Sequence, residues 1–442
     1  MTDSPVVPEN TIRATVGDKT LPRMGVIEQR WDTDPIPTDE VERRAAAATE
    51  GLDLSVAPDG GEVAIGVGSR GIANLDAIVR GVVAGVRERG YDPFVFPAMG
   101  SHGGATAEGQ REKLHTLGVT ETRVGCDIRA TMAVETVGET PDRGVPVFAD
   151  ANAVAADAIV MVNRIKPHTD FSGEVESGLS KMLVIGMGKQ KGAKMAHDWA
   201  VDWSLRNMLP EITSQLLENL PVAGGVAIIE DEHDDTMLLE GVPASAFLDR
   251  ERELLETAYD RMPKLPFDDL DVLIIDRIGK DVSGQGMDTN VTGRRHFTIN
   301  EPEPESPAIK RIYLRGFTDR THGNAMGMGQ ADLVHETVFE ELEPSKTLIN
   351  AITASTVRGV RLPPVVENDR AGLLGVLGTI GPVDGPDARV LRVTDTMRLE
   401  RCYASEPLLE AARDRDDLRV VEAAESLTFD DDGEFAARSP DH

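Results

Sequence analysis

Two histidines in this chain sit in loops that follow apolar runs, where an imidazole can be held out of a turn. His102 lies in Met99-Gly100-Ser101-His102-Gly103-Gly104. Glycines on both sides allow a sharp turn and leave the ring unshielded. With an ordinary pKa of about 6.5, such a ring suits a general base, while a structural turn is the other reading. His168 lies in Asn163-Arg164-Ile165-Lys166-Pro167-His168-Thr169-Asp170-Phe171-Ser172-Gly173. Pro167 restricts the backbone just before the ring, which helps to hold a proton-transfer group; capping of the next element by Thr169 or Asp170 explains the same residues without catalysis. The third group runs from Ser180 to Lys194 and is followed by His197. Four of the 11 lysines, Lys181, Lys189, Lys191 and Lys194, fall within fourteen residues. Glycines beside lysines at a helix start suit an anion, although no GxxxxGK[ST] loop is present, and lysines solvated on a helix face are the alternative. Lys181 differs because it borders an apolar run, where a free ammonium is costly to bury and a covalently modified amine is not. His197 alone reads as a hydrogen-bonded helix histidine.

The elements that must position these groups follow from periodicity. Val63 to Val67 predicts a buried strand, Asn74 to Arg89 an amphipathic helix and Pro93 to Pro97 a second strand, a βαβ rhythm with a parallel sheet. A helix over Gly103 to Leu117 follows. Strands are predicted at Val145 to Phe148, Ala158 to Val162, Met182 to Ile185 and Gly225 to Ile229, and helices at Gly192 to Ala200, Ser204 to Leu217 and Ala244 to Arg261. Loops after parallel strands gather at one edge of such a sheet, where open α/β sheets hold ligands. Pro263 to Asp269 marks a change of domain, after which Asp271 to Ile275 opens a second α/β unit. Helices are predicted there at Ala331 to Leu342, Lys346 to Ser355 and Ala371 to Leu377, and a strand at Arg389 to Val393. The expected architecture is α/β, with two α/β domains, mainly parallel sheets and a cleft between them holding the site. The boundaries read 1–265, with 1–60 as a lead-in to the first domain, then 266–428, then an acidic mobile tail, 429–442.

Composition narrows the class. The net charge of −30 comes from 76 acidic and 46 basic residues spread along the chain, which excludes the basic footprint of a nucleic-acid binder. With only 11 of the basic residues Lys, this balance reads as adaptation to high salt, where self-repulsion is screened. Apolar runs are too short to cross a bilayer and the amino terminus has no targeting pattern, so a cytoplasmic protein without a membrane partner is expected. Cys126 and Cys402 read as buried thiols.

The order His102, His168, Lys181, His197 resembles the amino-terminal domain of the nickel-pincer lactate racemase family over about residues 60–200. The resemblance implies that Lys181 carries pyridinium-3-thioamide-5-thiocarboxylic acid mononucleotide, whose carbon and two sulfurs grip nickel, and that His197 completes the metal's ligands. His102 and His168 would be the acid/base pair, and Arg70, in Val67-Gly68-Ser69-Arg70, the arginine near the substrate. The implied reaction takes the hydroxyl proton and the α-hydrogen, as hydride, from a 2-hydroxy acid and returns them to the opposite face. Enzymes that make or insert the cofactor would be partners.

The chain departs from that pattern in two places. The stretch between His168 and Lys181 is longer than in the lactate enzymes and lacks their Gly-Gly-Arg, and no Trp follows Trp203, so a family contact from the second domain is missing or replaced. Lys280 and Gln285, in Gly279-Lys280-Asp281-Val282-Ser283-Gly284-Gln285-Gly286, are candidates for it, against a solvated turn at Lys280 and Asp281. Arg294, Arg295 and His296 are equally ambiguous, and Asn324, Gln330, Asp332 and His335 offer at most a cleft wall. Two rival functions stay open: a zinc-dependent hydrolase whose metal is held by His102, His168 and His197, and a non-catalytic carrier on the same fold.

Overall fold

The computed structural model describes residues 5–17, 19–295, 301–436 and 440. It divides into two compact units, Thr33–Met262 and Pro263–His442 with Met1–Asp32. Both are α/β.

The Thr33–Met262 unit is built on a five-stranded sheet in the order Asp92–Pro97, Glu62–Val67, Ala158–Arg164, Val222–Glu230, Thr236–Pro243. The first four strands are parallel and the last is antiparallel. Alternation along each strand splits the core. Ala64, Phe94, Phe96, Ile159, Met161, Ala227 and Ile229 face one side, against the helices Lys189–Trp203, Leu205–Asn219 and Phe247–Arg261. Val63, Ile65, Val67, Val95, Val160, Val162, Val226 and Ile228 face the other, against Leu75–Glu88. Both faces are therefore covered, as a parallel sheet requires.

The expected strand at Met182 to Ile185 is helical instead. Met182–Gly186 forms a wide turn, closed by the Met187 amide on Met182 O at 2.7 Å, that continues the short helix Leu179–Lys181. A four-residue apolar run has no period that separates a buried strand from a buried helical turn. In the same way, Ala331 to Leu342 is not one helix: Leu333–His335 is a strand and Glu336–Glu341 the helix.

The other unit carries a nine-stranded sheet, parallel from Val6–Val7 through Val365–Val366, Leu333–His335, Ala308–Leu314, Asp269–Ile275 and Val390–Val393. Arg401–Ser405, Arg23–Gln29 and Leu418–Ser426 complete it antiparallel. The Arg23–Gln29 strand corrects the expected lead-in over residues 1–60 only as far as Asp32, since Thr33 onward belongs to the Thr33–Met262 unit; the strand's buried residues find their partners almost 400 positions away, which no local pattern reveals. The segment after residue 428 is likewise not a free tail as far as it is described. Phe435 is 8% exposed and its amide donates to Asp369 at 2.9 Å. Cys126 and Cys402 are buried free thiols, and among the described residues no helix is long and apolar enough to cross a membrane.

Candidate active site

Three adjacent parallel strands run to the same edge of the sheet. Val67 pairs with both Pro97 and Val162, so the loops bearing Ser69 and Arg70, His102, and His168 leave the same edge of the sheet. In the second loop Gly100 and Gly103 have φ of +59° and +65°, and a Cβ on Gly103 would come within 2.5 Å of the Gly109 backbone. Glycine is required there, as the sequence suggested. Ser69 Oγ hydrogen-bonds His102 Nδ1, and Gln110 Nε2 donates to Gly100 O at 2.8 Å. Gln110 Oε1 in turn accepts from Lys189 Nζ at 3.0 Å. Lys189 is fully buried, donates to Pro97 O at 2.5 Å and pairs with buried Asp150 at 2.8 Å. It is thus neither a solvated lysine nor an anion receptor, but an internal tie for the His102 loop.

The His168 loop is closed by the Lys166 amide on Ser177 O at 2.8 Å. Inside it the buried Glu176 carboxylate accepts from the His168 amide at 2.6 Å, the Gly173 amide at 3.0 Å and Tyr259 Oη at 2.9 Å. The ring packs on Phe171 with centroids 4.6 Å apart, and its Nδ1 accepts from the Asp170 amide at 3.0 Å. An acceptor Nδ1 puts the proton of a neutral ring on Nε2. That nitrogen lies 2.5 Å from Lys181 Nζ.

Lys181 is half-buried on the short helix that Gly178 begins. Burial lowers its amine to about 8, with Arg70 and Lys166 adding to the effect and Asp170 opposing it. A neutral amine can accept the His168 Nε2 proton; an ammonium cannot. The fully buried Glu251 carboxylate takes the Ser180 amide at 2.9 Å and Ser180 Oγ at 2.6 Å. Burial pushes Glu251 up to about 7, against these donors. On the following helix, His197 is half-buried, and burial and then the Lys181 charge hold it below its ordinary value. Burial, then Arg70, Lys181 and Lys113 lower His102 from 6.5 to about 4. Because His102 is open to solvent at the loop tip, water screens part of this effect. His102, His168, His197 and Arg70 are therefore all coupled to one amine.

Lys280 and Gln285 belong to the other unit. Lys280 Nζ donates to Gly284 O at 2.5 Å within its own turn, and Gln285 is buried. Arg294 is engaged by Asp332 at 2.7 Å and Gln330 O at 2.8 Å, which makes these three a local brace. His296 falls outside the described residues. Among the described residues, His335, Asp369 and Glu434 are the group of metal-ligand type whose atoms lie within 4.8 Å of one another. Their atoms are occupied: His335 bonds Glu434 at 2.9 Å and Thr337 at 2.8 Å, and Asp369 bonds Arg315 at 2.7 Å. They form a strut for the Phe435 segment. His102, His168 and His197 do not assemble such a set.

Reading the sequence missed Ser69, Glu176, Glu251 and Tyr259. One signal was available for Glu251. It falls in line with Phe247, Leu254, Leu255 and Ala258 on the buried face of an amphipathic helix, where an acid needs a dedicated partner.

No family model and no curated protein matches the chain. Among solved structures it is similar to a protein from Thermotoga maritima, at 15% identity over 64% of this chain and 72% of that one, with a TM-score of 0.45. It is also similar to the lactate racemase apoprotein from Thermoanaerobacterium thermosaccharolyticum, at 12% identity over 85% and 89% of the two chains, with a TM-score of 0.44.

Proposed function

We propose that this chain is a cytoplasmic isomerase that racemises or epimerises a 2-hydroxy acid with a nickel-pincer mononucleotide on Lys181. The observation that carries this reading is the Lys181 amine 2.5 Å from His168 Nε2, with His102, His197 and Arg70 coupled to the same amine. The donors fit that group. Burial lowers the Lys181 amine to about 8, which raises the share of the unprotonated form that acylation needs, and holds His197 below its ordinary value, which favours the neutral imidazole that binds a divalent metal. When bound, the group would supply the two-electron acceptor and donor through which an α-carbon loses its configuration.

The chain's own residues supply the rest. The Asp170 amide occupies His168 Nδ1, so that ring exchanges protons at Nε2. Ser69 occupies His102 Nδ1 and leaves the other nitrogen for exchange. With its pKa lowered to about 4, His102 starts unprotonated at neutral pH and acts first as acceptor. A substrate carboxylate beside Arg70 would cancel part of the charge that weakens this base, so an anionic substrate primes His102 as it binds. Two imidazoles, one for the hydroxyl of each enantiomer, meet the need of a reversible inversion. Lys280 and Gln285 remain proposed substrate contacts, and cofactor-synthesis or insertion proteins the proposed partners. The zinc hydrolase reading finds no support in the geometry, since its three histidines do not form a ligand set.

The test is the mass of the Lys181 peptide and the nickel content of protein from its native host, or from a host that makes the pincer cofactor. An adduct of cofactor mass with about one nickel per chain is expected. An unmodified Lys181 without nickel, in a host that loads a control racemase, would overturn the reading.

A further inference from the structure

The Phe247–Arg261 helix touches both members of the Lys181–His168 pair through intermediaries, and neither link belongs to a sequence motif. Glu251 is fully buried and holds the Ser180 amide at 2.9 Å and the Ser180 hydroxyl at 2.6 Å, one residue before Lys181. Its Oε1 lies so close to Gly178 that a Cβ there would come within 2.0 Å of it. The turn that begins the lysine's helix is therefore seated on this carboxyl group through the Ser180 amide and hydroxyl. Eight residues on, Tyr259 donates to Glu176 at 2.9 Å and lies 3.3 Å from Ser172 Oγ. Glu176 in turn holds the His168 amide at 2.6 Å.

We propose that this helix is the positioning element of the site: Glu251 and Tyr259, two turns apart, set the separation between Lys181 Nζ and His168 Nε2. A rigid helix suits the task, because it fixes the two anchors about 12 Å apart along its axis while the chain between His168 and Lys181 is a loop. The burial of the Glu251 side chain also acquires a reason.

This inference takes Lys181 and His168 as the working pair proposed above, but its test needs neither cofactor nor turnover. The unloaded protein is acetylated with an amine-reactive ester at pH 8. The labelling of Lys181 is then read by mass spectrometry relative to exposed Lys194 on the neighbouring helix. Tyr259→Phe, Ser180→Ala and Glu251→Ala should each lower the Lys181/Lys194 ratio, the last by about fivefold, because an amine released into water spends more time protonated. Glu251→Gln, whose amide oxygen still accepts, should keep at least half of the ratio. If Glu251→Ala does not fold, the Tyr259→Phe and Ser180→Ala proteins decide. Variants that melt lower but leave the ratio unchanged, or that raise it, would reduce the helix to a structural support and sink the proposal. Absence of nickel or of an adduct in loaded protein would end the pincer reading without altering this outcome.

Discussion

At the scale of single residues, what matters is which protonation state each group is held in. His102 has a native value of about 4 against an ordinary 6.5, so the unfolded chain binds its proton more readily than the folded one. The stability that His102 contributes is thus present above about 6.5 and is lost as pH falls through about 4. His102→Asn should remove that dependence. The melting temperature of the wild type, taken relative to the variant, should decline between pH 7 and pH 4, and a constant difference would refute it. Burial is the main cause of the lowering and Arg70 the next. Arg70→Gln should accordingly raise the His102 value part of the way toward 6.5 in an NMR titration of labelled histidine. No change would mean that solvent fully screens Arg70.

At the scale of elements, the helical turn Met182–Gly186 is the joint between the lysine and the His102 loop. Gly186 O accepts from the Gly100 amide at 3.1 Å, and a Cβ on Gly186 would come within 2.6 Å of Ala98 O. Gly186→Ala must push the two segments apart, at a cost of about 1–3 kcal/mol typical of overpacking. Denaturant melts of the variant measure it; an unchanged midpoint would show that the loop yields freely. This joint was illegible in the sequence, because an apolar tetrapeptide flanked by glycine fits strand and helix alike. The loops at the sheet edge were legible, since strand period and glycine spacing are local properties.

At the scale of the whole molecule, charge and connectivity set the terms. A net charge of −30 spread along the chain makes self-repulsion a general destabilising force that salt relieves. The melting temperature should rise steadily from about 0.1 to 2 M potassium chloride if the surface is adapted to salt. A flat or falling curve would mark an ordinary acidic protein. The unit that holds residues 263–442 also depends on its last segment: Phe435 stacks on Phe429 at 5.3 Å and lies under the guanidinium groups of Arg315 and Arg392. Truncation after Leu427 should speed amide hydrogen exchange in the Val390–Val393 and Ala308–Leu314 strands while leaving the Ala158–Arg164 strand protected. Equal protection in all three would show that the segment is dispensable.

The amino-acid sequence by itself determined the α/β class and the parallel strands of the Thr33–Met262 unit. It also marked out the loops carrying Arg70, His102 and His168, because burial on both faces of a strand and the demand for glycine in a turn are written residue by residue. It singled out Lys181 through a mismatch between charge and neighbourhood. Only the tertiary structure decided that Arg23–Gln29 joins the far sheet and that Lys189 is an internal tie. It alone revealed that Ser69 bonds the His102 ring, that Tyr259 and Glu176 hold the His168 loop, and that Glu251 holds Ser180 beside Lys181. Each of these depends on a partner remote in the chain, and a buried polar side chain acquires its meaning from the atom that satisfies it.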